Sequence, residues 1–273
     1  LTLAAKPARG ALFGIVLFTG LGFSCAAQAA VSDWAVSDGG RMRIAALADG
    51  KGGYDALLDI EPNPGWKTYW LSPGDAGLPP LIDLAGSGNL TLARTDFPIP
   101  DIGEDEGGHF VGYHAPLGIL LSLKSPDAAQ PATLKASVMI GVCKDICLPF
   151  QASFELALNG KDAPQADEFM TISLAKSALP EAASADFAIT AHQLSPDGAS
   201  LTMTLKLPSK STPELALGPS PGLAFGPMTI TPQPNGDSIV ALPIKRRPKT
   251  GDVHVIVLVK SGARAMQTSL AIR

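Results

Sequence analysis

Two all-β sandwiches in series are what this sequence predicts, on three observations. Short runs of alternating apolar and polar residues recur along most of the chain, the period of a half-buried strand. They are separated by turn chemistry, with 28 Gly and 24 Pro in 273 residues and aromatics only 6%, a composition that suits many short strands. A single stretch, 167–179, has helical spacing. Alternation serves a barrel as well as a sandwich; two sandwiches are the simpler packing for a chain of this length.

The first thirty residues read as an export signal rather than as fold. Lys6 and Arg9 form a basic start, Ala11 to Phe23 an apolar core of thirteen residues, and Ala27-Gln-Ala29 a small-x-small cleavage site. Cleavage is expected after Ala29 or Ala30. The core is too short for a membrane span. Cys25 invites a lipid anchor, but Gly22 stands where a lipobox carries an aliphatic residue. The longest later apolar run, Val253 to Val259, is interrupted by His254, so no transmembrane span is expected in the mature chain. A formal charge of −4 with no basic block argues against nucleic acid as a partner.

The first β region, 31–160, opens with expected strands at 41–48 and 53–60. A segment bounded by turns, 61–80, holds a short aromatic strand from Trp66 to Leu71. Strands are expected at 81–85, 90–93 and 117–123, with an acidic, Gly-rich loop over 97–113 between the last two. In the aromatic strand Trp66 and Trp70 share a face with Thr68, and Tyr69 points to the other. One of these aromatics is therefore an expected exposed contact. A linker with a short helix, 161–182, is stopped by Pro180; Phe169, Ile172, Leu174, Ala175 and Leu179 partly fit helical spacing. The second β region, 183–273, starts with a hairpin through Ser195-Pro-Asp-Gly198. Strands at 215–217, 228–231, 238–244, 253–260 and 267–272 follow.

The chemistry sits in Val142-Cys-Lys-Asp-Ile-Cys-Leu-Pro149. With Cys25 removed, Cys143 and Cys147 are the two cysteines of the mature chain. Residues i and i+4 of one strand lie about 13 Å apart, whereas a disulfide needs Cα atoms within roughly 7 Å. A helical turn or a tight hairpin would meet that limit. The hairpin is favoured, because 133–142 and 150–158 both alternate with period two and Pro149 opposes a helix. Lys144-Asp145-Ile146 would form its loop. A bridge closing so small a loop contributes only about 2 kcal/mol in the chain-entropy model. That is a poor staple and suits a disulfide that is made and broken. Lys144 favours a thiolate at Cys143 and Asp145 opposes it.

The same octapeptide resembles the Val-Cys-x-x-x-Cys-x-Pro signature in the periplasmic N-terminal region of ScsB-type proteins, relatives of the thiol:disulfide interchange protein DsbD. Gly65-Trp-Lys-Thr-Tyr-Trp-Leu-Ser-Pro-Gly-Asp-Ala-Gly-Leu-Pro-Pro80 and Gly108 to Tyr113 are similar to two further segments of that family, in the same order. The likeness runs from about Tyr54 to Leu158, and more weakly through the helix, Pro180 and the second β region. It implies an immunoglobulin-like sandwich whose hairpin carries a redox pair. A membrane-embedded thiol reductase would reduce that pair, which would then reduce thioredoxin-like or other periplasmic clients through transient mixed disulfides. No Gly-rich phosphate loop or dinucleotide fingerprint stands out in the sequence, and no cofactor is expected. By the same resemblance Cys147 is the sulfur that joins clients, and Trp66 and Tyr69 fall near the site. Glu104, Asp105 and Glu106 fall at the acidic start of a cap loop. Here Gly107-Gly108 replaces the aromatic that follows the acidic pair in the family, so either shielding would pass to Phe110 or Tyr113 or the cap would be more open. The 273 residues carry neither a transmembrane reductase domain nor a thioredoxin-like C-x-x-C, so the expectation is either partners encoded elsewhere or a lost electron-relay role.

Two other readings stand beside interchange. One is a binding or scaffold module with a static disulfide. The other is a zinc or copper site built from Cys143, Cys147, His109 and His114.

Overall fold

The computed structural model describes residues 1–2, 30–105, 107–159, 166–248 and 253–272. The expected export signal with Cys25 falls almost wholly outside these residues, as do Glu106 and positions 160–165 of the expected linker.

In chain order the first strands are β1 (Ala30–Val31), β2 (Ala35–Ser37), β3 (Gly40–Ala48), β4 (Gly53–Pro62), β5 (Thr68–Gly74) and β6 (Leu81–Asp83). They are followed by β7 (Thr91–Asp96), β8 (Asp101–Asp105), β9 (Gly108–Tyr113), β10 (Leu117–Lys124), β11 (Ala132–Cys143) and β12 (Cys147–Leu158). Helix α1 (Ala166–Ser177) comes next. Then come β13 (Ala188–Leu194), β14 (Ser200–Lys206), β15 (Glu214–Leu217), β16 (Ala224–Phe225), β17 (Thr229–Pro232), β18 (Ser238–Arg246), β19 (Val253–Ser261) and β20 (Arg264–Ile272). The protein is nearly all β, built of antiparallel sheets in immunoglobulin-like sandwiches.

In the first sandwich the sheet β1-β3-β4-β10-β7 faces the sheet β12-β11-β6. Period-two alternation fills the space between them. Met42, Ile44, Leu58, Ile60, Ile119 and Leu121 come from one sheet and Leu134, Val138, Ile140, Phe150 and Phe154 from the other. The outer face of the larger sheet carries Leu47, Leu57 and Leu120, and Ile172 of α1 covers them. Lys176 at the end of that helix donates to Asp55 at 2.6 Å.

The second half repeats the logic. Leu201, Met203 and Leu205 of β14 and Val240 and Leu242 of β18 oppose Val255, Val257 and Met266 of β19 and β20. Its sheets are β13-β14-β18-β16, with β17 also on β18, and β15-β19-β20. The two halves share packing, since Ala216 and Leu258 join the core cluster of the first.

Three local expectations are corrected. The expected loop over 97–113 is a β-hairpin, β8 on β9, whose backbone pairing runs from Asp101–Gly112 to Asp105–Gly108. Gly108 adopts φ 97° at its turn, a conformation glycine takes without strain. Within α1, Phe169 and Leu174 are exposed together with Met170, because a helix lying on one sheet face buries one stripe. Finally, short strands at β1, β2 and β16 were not anticipated, having too few residues to show a period.

Candidate functional site

The cysteines close a hairpin. β11 and β12 pair without interruption from Ala132–Leu158 to Cys143–Cys147, and the last pair is bridged by a disulfide with Cα atoms 4.1 Å apart. Lys144, Asp145 and Ile146 form the exposed tip, where Ile146 is 66% exposed. The two sulfurs are unequal. Cys143 is 1% exposed and packs with Tyr69 and Phe110, whereas Cys147 belongs to an exposed residue.

Beside the tip lies a cleft of about 490 Å³. Its wall is the strand leading into and through β5. Lys67 pairs with Cys143 there by reciprocal backbone hydrogen bonds, Lys67 N to Cys143 O at 2.8 Å and Cys143 N to Lys67 O at 2.9 Å. Two residues on, Tyr69 sends its hydroxyl to within 3.5 Å of Cys147 Sγ. A disulfide sulfur carries no proton, so the phenol is the donor. Burial raises the pKa of that phenol, against the opposing effect of the Lys67 ammonium, which keeps the donor proton in place. Gly77 must lack a side chain here, for a Cβ would stand 2.5 Å from the Tyr69 ring.

The β8–β9 hairpin extends this wall as a three-stranded sheet, β5-β9-β8, and its side chains close over the cleft. Phe110 meets Tyr69 edge to face at 5.7 Å between centroids. Asp105 is paired with the Lys67 ammonium, which also lies 5.1 Å from the Phe110 ring centre. The Lys67 hydrogen bond, foremost, and the Gly107 amide hold the Asp105 carboxyl below its usual pKa. At the same turn end of the hairpin, Asp75 accepts from the His109 amide at 2.9 Å. Gly74 permits this approach at φ 94°, where a Cβ would sit 1.9 Å from the His109 carbonyl oxygen.

The structure thus gathers Cys143, Cys147, Tyr69, Phe110 and Asp105. Trp66 and Tyr113 are corrected away from the disulfide. The Trp66 ring turns into the main core, closing with Val142 over Gly39, since alternation places it opposite Lys67 and Tyr69. Tyr113 is buried in that same core and donates to the Pro98 carbonyl at 2.9 Å; burial lifts its pKa well above the usual phenol value. No aromatic of the 66–70 strand is an exposed contact: Trp70 is 0% and Tyr69 4% exposed, because the disulfide hairpin and the β8–β9 hairpin cover the second face. Glu104 lies on the solvent side, 3.5 Å from His109 Nδ1. His109 and His114 line the same cleft as Cys143 and Cys147. Among the described residues no three His, Cys, Asp or Glu side chains converge for a metal. His109 faces Glu104, and His114 Nδ1 faces Asp101 at 3.2 Å. Lys67 was missed from sequence, where Lys144 drew attention as the cysteine's neighbour. The available signal was the two-residue period, which puts Lys67 on the face of Tyr69.

The Lys67–Asp105 pair makes a titration prediction. A depressed carboxylate pKa means stabilisation that is present above the ordinary Asp value and is lost as pH falls through the lowered one. Carboxyl-carbon NMR of the native protein is expected to give Asp105 a midpoint below the ordinary Asp value of about 3.9. In Lys67→Met that midpoint is expected to move up toward the ordinary value; an unchanged midpoint would show that the pair does not hold in solution.

Fold and site together define an immunoglobulin-like sandwich that carries a half-exposed disulfide at a hairpin tip. Residues 43–159 match the family model described as "Thiol:disulfide interchange protein DsbD, N-terminal". The crystal structure of the N-terminal periplasmic domain of ScsB from Proteus mirabilis superimposes with a TM-score of 0.67 at 22% identity, covering 89% of this chain and 98% of that one. That likeness is one of fold. A marsupial T cell receptor aligns at a TM-score of 0.21 and 12% identity over 86% of this chain and 98% of its own, too slight to carry an argument. No curated protein matches in sequence. Among the described residues no helix is long and apolar enough to cross a membrane.

Proposed function

We propose that this protein carries out thiol:disulfide interchange in the periplasm, through reversible reduction of the Cys143–Cys147 disulfide. The observation that carries the reading is the asymmetry of the pair: one sulfur buried under Tyr69 and Phe110, the other exposed at a cleft. Interchange requires in-line access to one sulfur only. A partner thiolate attacks Cys147 Sγ, the S–S bond breaks, and Cys143 leaves as the thiolate. The partner's second thiolate then attacks the partner sulfur of the mixed disulfide and expels Cys147. Two electrons have passed from the partner, which is now oxidised, to Cys143 and Cys147, whose thiolates take up from solvent the two protons that the partner's thiols released on ionising. The same steps run backward toward an oxidised client. Tyr69 donates to whichever form of Cys147 carries the charge.

The family match of residues 43–159 supports this reading. On it, a membrane-embedded thiol reductase supplies the electrons and thioredoxin-like or other periplasmic proteins receive them. We also assign residues 31–160 to the redox domain, 161–182 to a helical linker and 183–273 to a second sandwich domain.

The test is direct exchange. The reduced full chain is mixed with an oxidised thioredoxin-fold dithiol protein, quenched with acid, alkylated and resolved by mass. Transfer of both electrons within seconds to minutes supports the proposal. A reduced chain that stays reduced beside its oxidised partner would leave the disulfide as a static feature of a binding module.

A further inference from the structure

We propose that Lys67 is a positioning residue of this site, a latch that sets how readily a protein partner reaches Cys147. The inference rests on the interchange reading of the same disulfide. Lys67 is tied to both sides of the cleft. Its backbone exchanges two hydrogen bonds with Cys143, which fixes it to the buried half of the disulfide. Its side chain reaches over β9 of the β5-β9-β8 sheet, lying against Phe110 and pairing with Asp105 at the end of β8.

Among the described residues, the other acidic side chains of the β8–β9 hairpin are paired without crossing. Glu104 faces His109 along the hairpin, and Asp101 faces His114 just beyond β9. Among the described residues, Lys67–Asp105 is the ion pair that joins the disulfide's wall to its cover. Both partners are largely shielded, with side chains 18% and 27% exposed, so water screens this pair less than it would a surface one. The remaining links are the apolar edge contact of Phe110 with Tyr69 and the hydrogen bonds that join β5 and Asp75 to β9.

The latch has a signature that separates it from an effect on sulfur chemistry. Removing the ammonium also removes a positive charge near the leaving thiolate, and that change affects every reductant alike. Displacing the hairpin matters to a protein reductant and little to a small one. The informative quantity is therefore the rate of reduction by reduced thioredoxin divided by the rate by dithiothreitol.

The full chain would be compared with Lys67→Met, Lys67→Arg and Asp105→Asn. Losing a shielded ion pair and a cation–π contact is expected to raise the ratio roughly three- to tenfold in Lys67→Met and somewhat less in Asp105→Asn. Lys67→Arg retains charge and reach, so its ratio is expected to return toward that of the unaltered chain. Asp105→Asn, at the partly exposed end of a hairpin, gives the same readout if Lys67→Met does not fold. One ratio across all four proteins would overturn the latch while leaving interchange intact. A disulfide in the unaltered chain that neither reductant opens would overturn the interchange reading and the latch with it.

Discussion

Replacing Cys143 with alanine is expected to turn the protein into a trap. Cys147 then stands as a lone thiol at an exposed position, and a mixed disulfide formed there has no internal thiol to resolve it. Cys147→Ala is expected to behave in the opposite way, because the remaining thiol at Cys143 is 1% exposed beneath Tyr69 and Phe110. Exchange rates depend on access to the attacking sulfur. With an activated aromatic disulfide as a probe, the two variants are expected to differ in labelling rate by roughly tenfold or more. Non-reducing gels of periplasmic extract would then show captured partners with Cys143→Ala and few with Cys147→Ala. Equal labelling would place the asymmetry of the folded pair in doubt, and equal capture would put the attacking sulfur elsewhere.

Trp70→Ala is expected to produce the largest loss of stability among single changes near the site. The indole is fully buried, 0% exposed, at the centre of the first sandwich. Truncating a buried Trp costs about 3–5 kcal/mol, from lost transfer energy and the cavity left behind. That is a large share of the roughly 5–15 kcal/mol that holds a typical domain folded. Denaturant unfolding, fitted with the slope compared between variants, measures it. Its neighbour Tyr69 supplies the contrast. Tyr69→Phe keeps the ring against Phe110 and removes only a hydroxyl, so about 1 kcal/mol or less is expected. The pair tests whether the strand divides its two faces between core and site. A small loss for Trp70→Ala, below about 1 kcal/mol, would contradict the packing described.

What could be read from sequence follows from where the signal resides. The disulfide hairpin was legible because Phe150, Phe154, Leu156 and Leu158 point inward and Gln151, Ser153 and Glu155 point outward, a pattern fixed by one buried face. The β8–β9 hairpin was not, since β8 is largely solvent-facing and the turn is Gly-rich. Its strands are defined by backbone pairing, which leaves no mark of period two. The faces of Trp70 and Tyr69 were correctly opposed by alternation. That the second face is covered depends on two hairpins distant in sequence, and no local pattern reports it. Lys67 illustrates the same limit: its partner Asp105 is 38 residues away, so its role emerges only when the sandwich brings the two together. Likewise, α1 was found from spacing, but which stripe it buries is decided by Leu47, Leu57 and Leu120 on the sheet beneath it.

The most direct test of the central claim is the reduction potential of the Cys143–Cys147 pair. The protein would be equilibrated in graded thiol/disulfide buffers, its free thiols alkylated, and the fraction reduced read by mass. Interchange predicts a potential above about −250 mV, in the range where exchange proteins operate. A value below roughly −300 mV would mark a disulfide that resists reduction and would contradict the account.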